Sequence, residues 1–113
     1  MTFASPFAGA VCRLTTALAA NEFGFNPDAL LTPMRQHRLA RARHVAMYLT
    51  HVGLGVKLGD VARCFERDPA TIRYACARIE DARDDHAFDQ RLNDLEDQAR
   101  SDASHLLCSG VLS

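Results

Sequence analysis

KLGDVARCFERDPATIRYACARI, residues Lys57 to Ile79, reads as two short helices joined by a tight turn. Leu58, Val61, Ala62 and Phe65 recur at helical spacing. After Glu66, Arg67 and Asp68, a second apolar stripe of Ile72, Cys76 and Ile79 begins. That pattern is a helix-turn-helix. Asp68 followed by Pro69 is a strong start signal, because a carboxylate can accept the orphan amides of a first turn and proline there gives up an N–H that has no partner anyway. The outward side of the second helix then carries Ala70, Thr71, Arg73, Tyr74, Ala77 and Arg78, a small, polar and cationic set suited to a major groove.

Upstream, Leu39, Ala42, Val45, Ala46, Leu49 and Val52 form a sustained apolar stripe that runs to the glycines at 53 and 55 and predicts a scaffold helix, with Arg41, His44, Tyr48 and His51 off the stripe. Before it, Asn26 and Pro27 repeat the cap-then-proline signal and open a short helix, PDALL, that Thr32 and Pro33 stop. Val11 to Glu22 predicts a first helix with Val11, Leu14, Leu18 and Cys12 on one face and alanines filling the rest, ended at Gly24, and residues 1–10 read as a flexible leader. Downstream, the second helix is expected to reach about Asp84. A break near Asp85 and His86 leads to a final amphipathic helix with Phe88, Leu92, Leu95 and Ala99 on one face. The domain is thus expected over residues 11–100, with 101–113 as a tail, and no strand alternation or internal repeat appears.

The 113 residues, 48% of them hydrophobic, suffice for one core. No apolar run approaches the roughly 18 residues of a membrane span, so no membrane partner is expected. The Ala-rich start ends in small residues like a signal cleavage site, but it lacks a basic leading segment and is interrupted by Arg13, Thr15 and Thr16. Cys12, Cys64, Cys76 and Cys108 are widely spaced with no CxxC pair, which fits reduced thiols and a cytoplasmic location. His37, His44 and His51 recur every seven residues, which on a helix separates successive rings by about 10.5 Å, too far to share one ion. No metal, cofactor or catalytic constellation is predicted, and the chain does not read as an enzyme.

A formal net charge of -1 conceals a division along the chain. Residues 29–78 hold nine Lys and Arg against three Asp and Glu, a net of +6, whereas residues 79–113 hold three against nine, a net of -6. From Ala29 through Gly59 there is no acidic side chain. A polyanion would meet a positive middle, with the acidic end turned away.

Three blocks carry a resemblance: RARHVAMYL at 41–49, LGDVARCFERD at 58–68 and ATIRYACARIE at 70–80, with FGFNPDALL before them. Together they resemble the C-terminal DNA-binding domain (domain IV) of the bacterial chromosomal replication initiator DnaA, over about residues 11–97. The resemblance implies an all-α, compact TrpR-like domain that binds double-stranded DNA and bears on replication initiation or transcription. There is no GxxxxGK[ST] loop, so neither the AAA+ module nor a nucleotide is expected. Arg35 matches a family arginine that reaches into the minor groove, Arg43 matches one implicated in DNA binding, His44 stands where glutamine is usual, and His51 where a basic residue is common. Lys57, Arg67 and Arg73 are candidate phosphate contacts on charge and placement. The family motif Asp, His, Thr, Thr, with a further His three positions on, here reads Asp68, Pro69, Ala70, Thr71 and Tyr74. Only Asp68 and Thr71 match it. Each good base contact is worth about 1 to 3 kcal/mol of discrimination. The departures therefore leave two readings, that another sequence is recognised or that binding is driven by the DNA backbone; the alternative is a protein-interaction module whose acidic final helix or apolar tail binds a replication protein.

Overall fold

The computed structural model describes residues 5–108, and all its regular elements are helical. Helix α1 (Ser5–Phe23) is followed by a 3-10 turn (Pro27–Leu31), α2 (His37–Tyr48), a π-turn (Leu49–Gly53), α3 (Leu58–Phe65), α4 (Pro69–Ala82) and α5 (His86–Cys108). α2 lies at the centre, packed against α1 on one side and α4 on the other, while α5 closes the bundle over α1 and the π-turn. Leu30, Met47, Leu49, Ile72, Ile79 and Leu92 are among the largest fully buried side chains.

The first helix begins at Ser5, so residues 5–10 are helical where the sequence reading has a flexible leader. Its buried face is also displaced. Ala8, Val11, Cys12, Thr15, Thr16, Ala19 and Ala20 are buried, while Leu14 and Leu18 are only half-buried. Small side chains there allow α2 to approach closely. The buried hydroxyls of Thr15 and Thr50 meet at 2.6 Å, with the Cys12 and Ala46 carbonyls in reach at 3.1 and 2.7 Å. Gly24, at φ 78°, ends α1 in the left-handed conformation, and the Phe25 amide then donates back to the Ala20 carbonyl at 2.8 Å.

The scaffold stripe requires a correction at its end. α2 does not run unbroken to Gly53, because the ladder widens into a π-turn, with the Leu54 amide donating to the Leu49 carbonyl at 2.9 Å. The extra residue in that turn rotates the phase, so Val52 is 45% exposed and Leu54 and Val56 are buried in its place. Tyr48, expected off the stripe, is buried: its hydroxyl donates to Glu80 at 2.8 Å and accepts from Arg83 at 3.1 Å. A phenol can enter a core when its oxygen finds partners.

The two helices of the motif form as the sequence pattern predicts, with Val61, Ala62 and Phe65 on α3 and Ile72, Cys76 and Ile79 on α4 buried in the core. Asp68 caps α4 by accepting from the Ala70 amide at 2.8 Å. Asn26 does the same for the 3-10 turn, accepting from Asp28 at 3.0 Å. α4 stops at Ala82, slightly short of the expected end. Asp85 then accepts from the Phe88 amide at 3.1 Å to start α5, which continues through residues 101–108 of the expected tail. Residues 109–113 of that tail and residues 1–4 of the leader lie outside the described part.

Candidate nucleic-acid interface

The outer side of α4 faces residues of α2 across a cleft, and the turn that precedes α4 is tied through Arg67 to the loop beginning at Thr32. α4 divides sharply. Ile72, Ala75, Cys76 and Ile79 are buried, whereas Ala70, Arg73, Tyr74, Ala77 and Arg78 are exposed and Thr71 is half-buried. Pro69 and Asp68 are exposed at its start, although the Asp68 carboxylate is already engaged as the cap. Tyr74, at 59% exposure, stands well clear of the surface.

Arg35 is exposed in its loop. The residue that fixes this loop is Arg43, only 8% exposed, whose guanidinium donates to the carbonyls of three alternate residues: Nε to Leu30 at 2.8 Å, and Nη2 to Thr32 at 2.7 Å and Met34 at 3.1 Å. Arg67 reaches from the turn of the motif and donates to the same Thr32 carbonyl at 3.1 Å. Burial, with Arg67 nearby, lowers the Arg43 pKa from its ordinary value. Arg43 and Arg67, both candidates for DNA contact from the sequence, are engaged here with backbone carbonyls. Both are tied to the loop that carries Arg35, whose carbonyls accept from their guanidinium groups.

His44 is half-buried and meets the Tyr74 ring edge-on, with centroids 6.0 Å apart and planes at 85°. Burial, reinforced by the charges of Arg43, Arg41 and Arg78, pushes its pKa down to about 4, so the ring is neutral near pH 7. It can therefore offer one donor and one acceptor, as an amide side chain would, but no charge. His51 uses Nδ1 in a 2.8 Å hydrogen bond with the Val56 carbonyl and braces the approach to α3. Lys57 is exposed at the start of α3 and Arg73 on the outer side of α4.

Sequence reasoning put Arg78 on the outward side of the second helix and Arg41 off the scaffold stripe, and weighed His37 only as a metal ligand, without bringing the three together. Together with Ala40, His44 and Tyr74 these line a cleft of about 200 Å³ between α2 and α4. Their signal was present in the spacing, since 37, 41 and 44 share one face of α2 and 74 and 78 one face of α4. No group of three or more His, Cys, Asp or Glu able to hold a metal occurs among the described residues. Nor is any helix among them long and apolar enough to cross a membrane.

With this geometry in view, the family model of the bacterial DnaA protein helix-turn-helix matches residues 16–79, more than half of the chain. The chain belongs to the bacterial DnaA helix-turn-helix family. The match starts in the second half of α1 and ends at Ile79, the last core residue of the recognition helix, so α5 lies outside it. The chain is similar to the chromosomal replication initiator protein DnaA of Synechococcus sp. (strain JA-2-3B'a(2-13)), 27% identical over 89 residues. That alignment covers 77% of this chain and 19% of the DnaA protein, so the chain spans about a fifth of its relative's length. A crystal structure of a DNA replication initiation factor superposes with a TM-score of 0.77 at 26% identity, over 85% of this chain and 30% of that one. The likeness extends beyond the helix-turn-helix to most of the DnaA-like helical domain.

Proposed function

We propose that this protein binds double-stranded DNA through α4 and the Arg35 loop, and acts without chemistry of its own by occupying sites that bear on replication initiation or transcription. A cytoplasmic, nucleoid-associated location goes with that role. The observation that carries this reading is the outer side of α4: a helix capped at Asp68, buried on one side only, whose other side is cationic and uncovered. Membership of the DnaA helix-turn-helix family supports it, as does the structural likeness to a DNA replication initiation factor.

Recognition on this reading differs from the family pattern. The Asp68 carboxylate accepts from the Ala70 amide, Pro69 offers no donor, and Ala70 offers a methyl group suited to thymine. Base reading then falls to Thr71, Arg73 and Tyr74, with Arg35 at the adjoining minor groove and Lys57 on the backbone. Sequence preference is narrower in its contacts and more dependent on charge. Labelled duplex titrated at several salt concentrations tests this. Affinity falling steeply as salt rises is the expected result, and selection from random duplexes then gives the preferred sequence. Flat salt dependence, or no binding at low salt, overturns it.

A second reading is favoured by one observation. Tyr74 and Met34 are 59% and 61% exposed, an aromatic and a thioether of the kind enriched at protein interfaces. A replication protein would then cover the same side. Loss of such a complex on adding duplex DNA separates a shared surface from two separate ones.

A further inference from the structure

Cys12 on α1 and Cys64 on α3 are far apart in the chain and together in the fold. Both are free thiols, and both line one cavity of about 470 Å³ bounded by α1, the 3-10 turn and α3, whose other walls include Phe65, Arg13 and Asp28. The two thiols are near enough to act on each other directly. Their exposure differs: Cys12 is 6% exposed, whereas Cys64 is half-buried. Burial, and then Cys64 itself, raise the Cys12 pKa well above the ordinary thiol value, with the charge of Arg13 acting the other way. Cys76, buried on α4, and Cys108, exposed on α5, do not line this cavity.

We propose that Cys12 and Cys64 are a redox-active pair, which a low-molecular-weight disulfide oxidises to a bond that staples α1 to the first helix of the helix-turn-helix. The cavity gives the reagent a way in, and Cys64 is the sulfur it meets first. The Cys64 thiolate attacks one sulfur of the reagent, the reagent's S–S bond breaks, and the departing thiolate takes up the proton that Cys64 released. Cys12 then attacks the Cys64 Sγ, expels the second half of the reagent and gives up its own proton to it. Two protein thiols are oxidised and one small disulfide is reduced to two small thiols. The second step is the slower, because burial keeps the Cys12 thiolate scarce. Burial also favours this product over a bound soft metal ion. A metal would require two thiolates in the wall, and no group of three or more His, Cys, Asp or Glu able to hold one occurs among the described residues, whereas a disulfide is neutral. In a reducing compartment the pair rests as thiols, and it closes when the small-disulfide pool rises. The loop so closed runs from Cys12 to Cys64, about half the chain, and holds α2 within it.

The inference stands apart from the DNA-binding reading, and its test uses no DNA. The full chain is equilibrated with oxidised and reduced glutathione in graded ratios, quenched by alkylation and digested with trypsin. Cleavage after Arg13, Arg63, Arg67, Arg73, Arg78 and Arg100 puts each of the four cysteines on its own peptide, so every linkage is identified by mass. Expected is a cross-link between the Cys12 and Cys64 peptides within one chain, preceded by a glutathione adduct on Cys64, and a melting temperature about 10 °C above that of the reduced protein. Cys12→Ser should stop at the Cys64 adduct without that rise, and Cys64→Ser should leave Cys12 free at the same glutathione ratio. The wild-type peptide map decides the matter even if a variant fails to fold. Cys12 and Cys64 both remaining free under oxidising ratios, a lasting adduct on Cys64 that never closes, or linkage to Cys76 or Cys108 instead overturns the pair. A cross-link that leaves the melting temperature unchanged or lowers it overturns the staple.

Discussion

Arginine does opposite work in the two halves of this molecule. In the α5 half, arginines face carboxylates. Arg83 donates to Asp89 and to Glu96, the latter at 3.0 Å, and also to Asn93 and the Tyr48 hydroxyl. Arg91 pairs with Glu22 at 3.1 Å, and Arg100 with Asp97 at 3.3 Å. In the α2–α4 half, Arg43 and Arg67 donate to backbone carbonyls, which satisfy their N–H groups but carry no formal charge. Arg35, Arg73 and Arg78 stand exposed there. The first arrangement holds the bundle together and cancels its own field. The second holds a loop in place and leaves its charge to act outward. A chain of net charge -1 can present a basic side to a polyanion because its acids are gathered where its remaining arginines need them.

The strongest way to break that comparison is to remove the hub of the acidic half. Arg83→Met leaves Glu96, itself buried, without its closest cation, and unpairing a buried charge costs about 3 kcal/mol. Thermal or urea unfolding should show that loss, while duplex affinity measured well below the melting temperature stays within a factor of two or so. Arg43→Met is the counterpart in the basic half. It removes charged donors from three carbonyls, and the expected destabilisation is about 2 kcal/mol. Unlike Arg83→Met it should also weaken duplex binding, because the loop bearing Arg35 loses its tether. Arg43→Lys, which keeps the charge but not the fork, should rescue little of either. Equal effects of Arg83→Met and Arg43→Met on duplex affinity would dissolve the distinction between the halves.

The parts legible in the sequence were those governed by local chemistry. Asp68 with Pro69 and Asn26 with Pro27 announce helix starts through hydrogen bonds made within two residues, and the apolar spacing of α3 and α4 places their buried sides correctly. What escaped depended on partners far along the chain. Nothing near Tyr48 says that Glu80 and Arg83 will meet its hydroxyl, so an aromatic off the stripe turned out to be core. Nothing near Arg43 says that the carbonyls of residues 30, 32 and 34 will need its donors. The π-turn shifts the phase after Tyr48, and a stripe counted at 3.6 residues per turn then assigns Val52 inward when it lies outside. Even the turn of the motif lacks the usual marker, because Glu66 rather than a glycine adopts the left-handed conformation at φ 53°. The charge division was visible, but not which cations would be tied up indoors.

Smaller changes sharpen the boundary of the basic half. Arg35→Ala should cost about tenfold in duplex affinity, about 1.4 kcal/mol, and leave stability within about 0.5 kcal/mol, since its side chain is exposed. A variant that melts much earlier would mean that Arg35 serves the loop rather than a ligand. Asp68→Ala removes the cap on the Ala70 amide and should lower stability by about 1 kcal/mol, whereas Asp68→Ser, which can still cap, should restore most of it. If Asp68→Ser is stable yet selects a different duplex sequence, the carboxylate also reads a base.

The least change is expected from His44, and it concerns pH. Its pKa in the folded protein is pushed down to about 4, first by burial and then by Arg43, Arg41 and Arg78, against an ordinary value of 6.5. The unfolded chain thus takes up a proton more readily than the native one between those values, so protonation favours unfolding there. The contribution is fully present above pH 6.5 and is lost progressively as pH falls toward 4. His44→Gln keeps a donor and an acceptor beside Tyr74 but cannot titrate. Urea unfolding midpoints for the wild type should therefore decline faster than those of the variant between pH 6.5 and 4, with the two lines parallel above pH 7. Lines parallel throughout would mean that His44 is protonated in the native state as easily as in the unfolded chain. Burial and the charges of Arg43, Arg41 and Arg78 would then be too weak to disfavour the protonated ring.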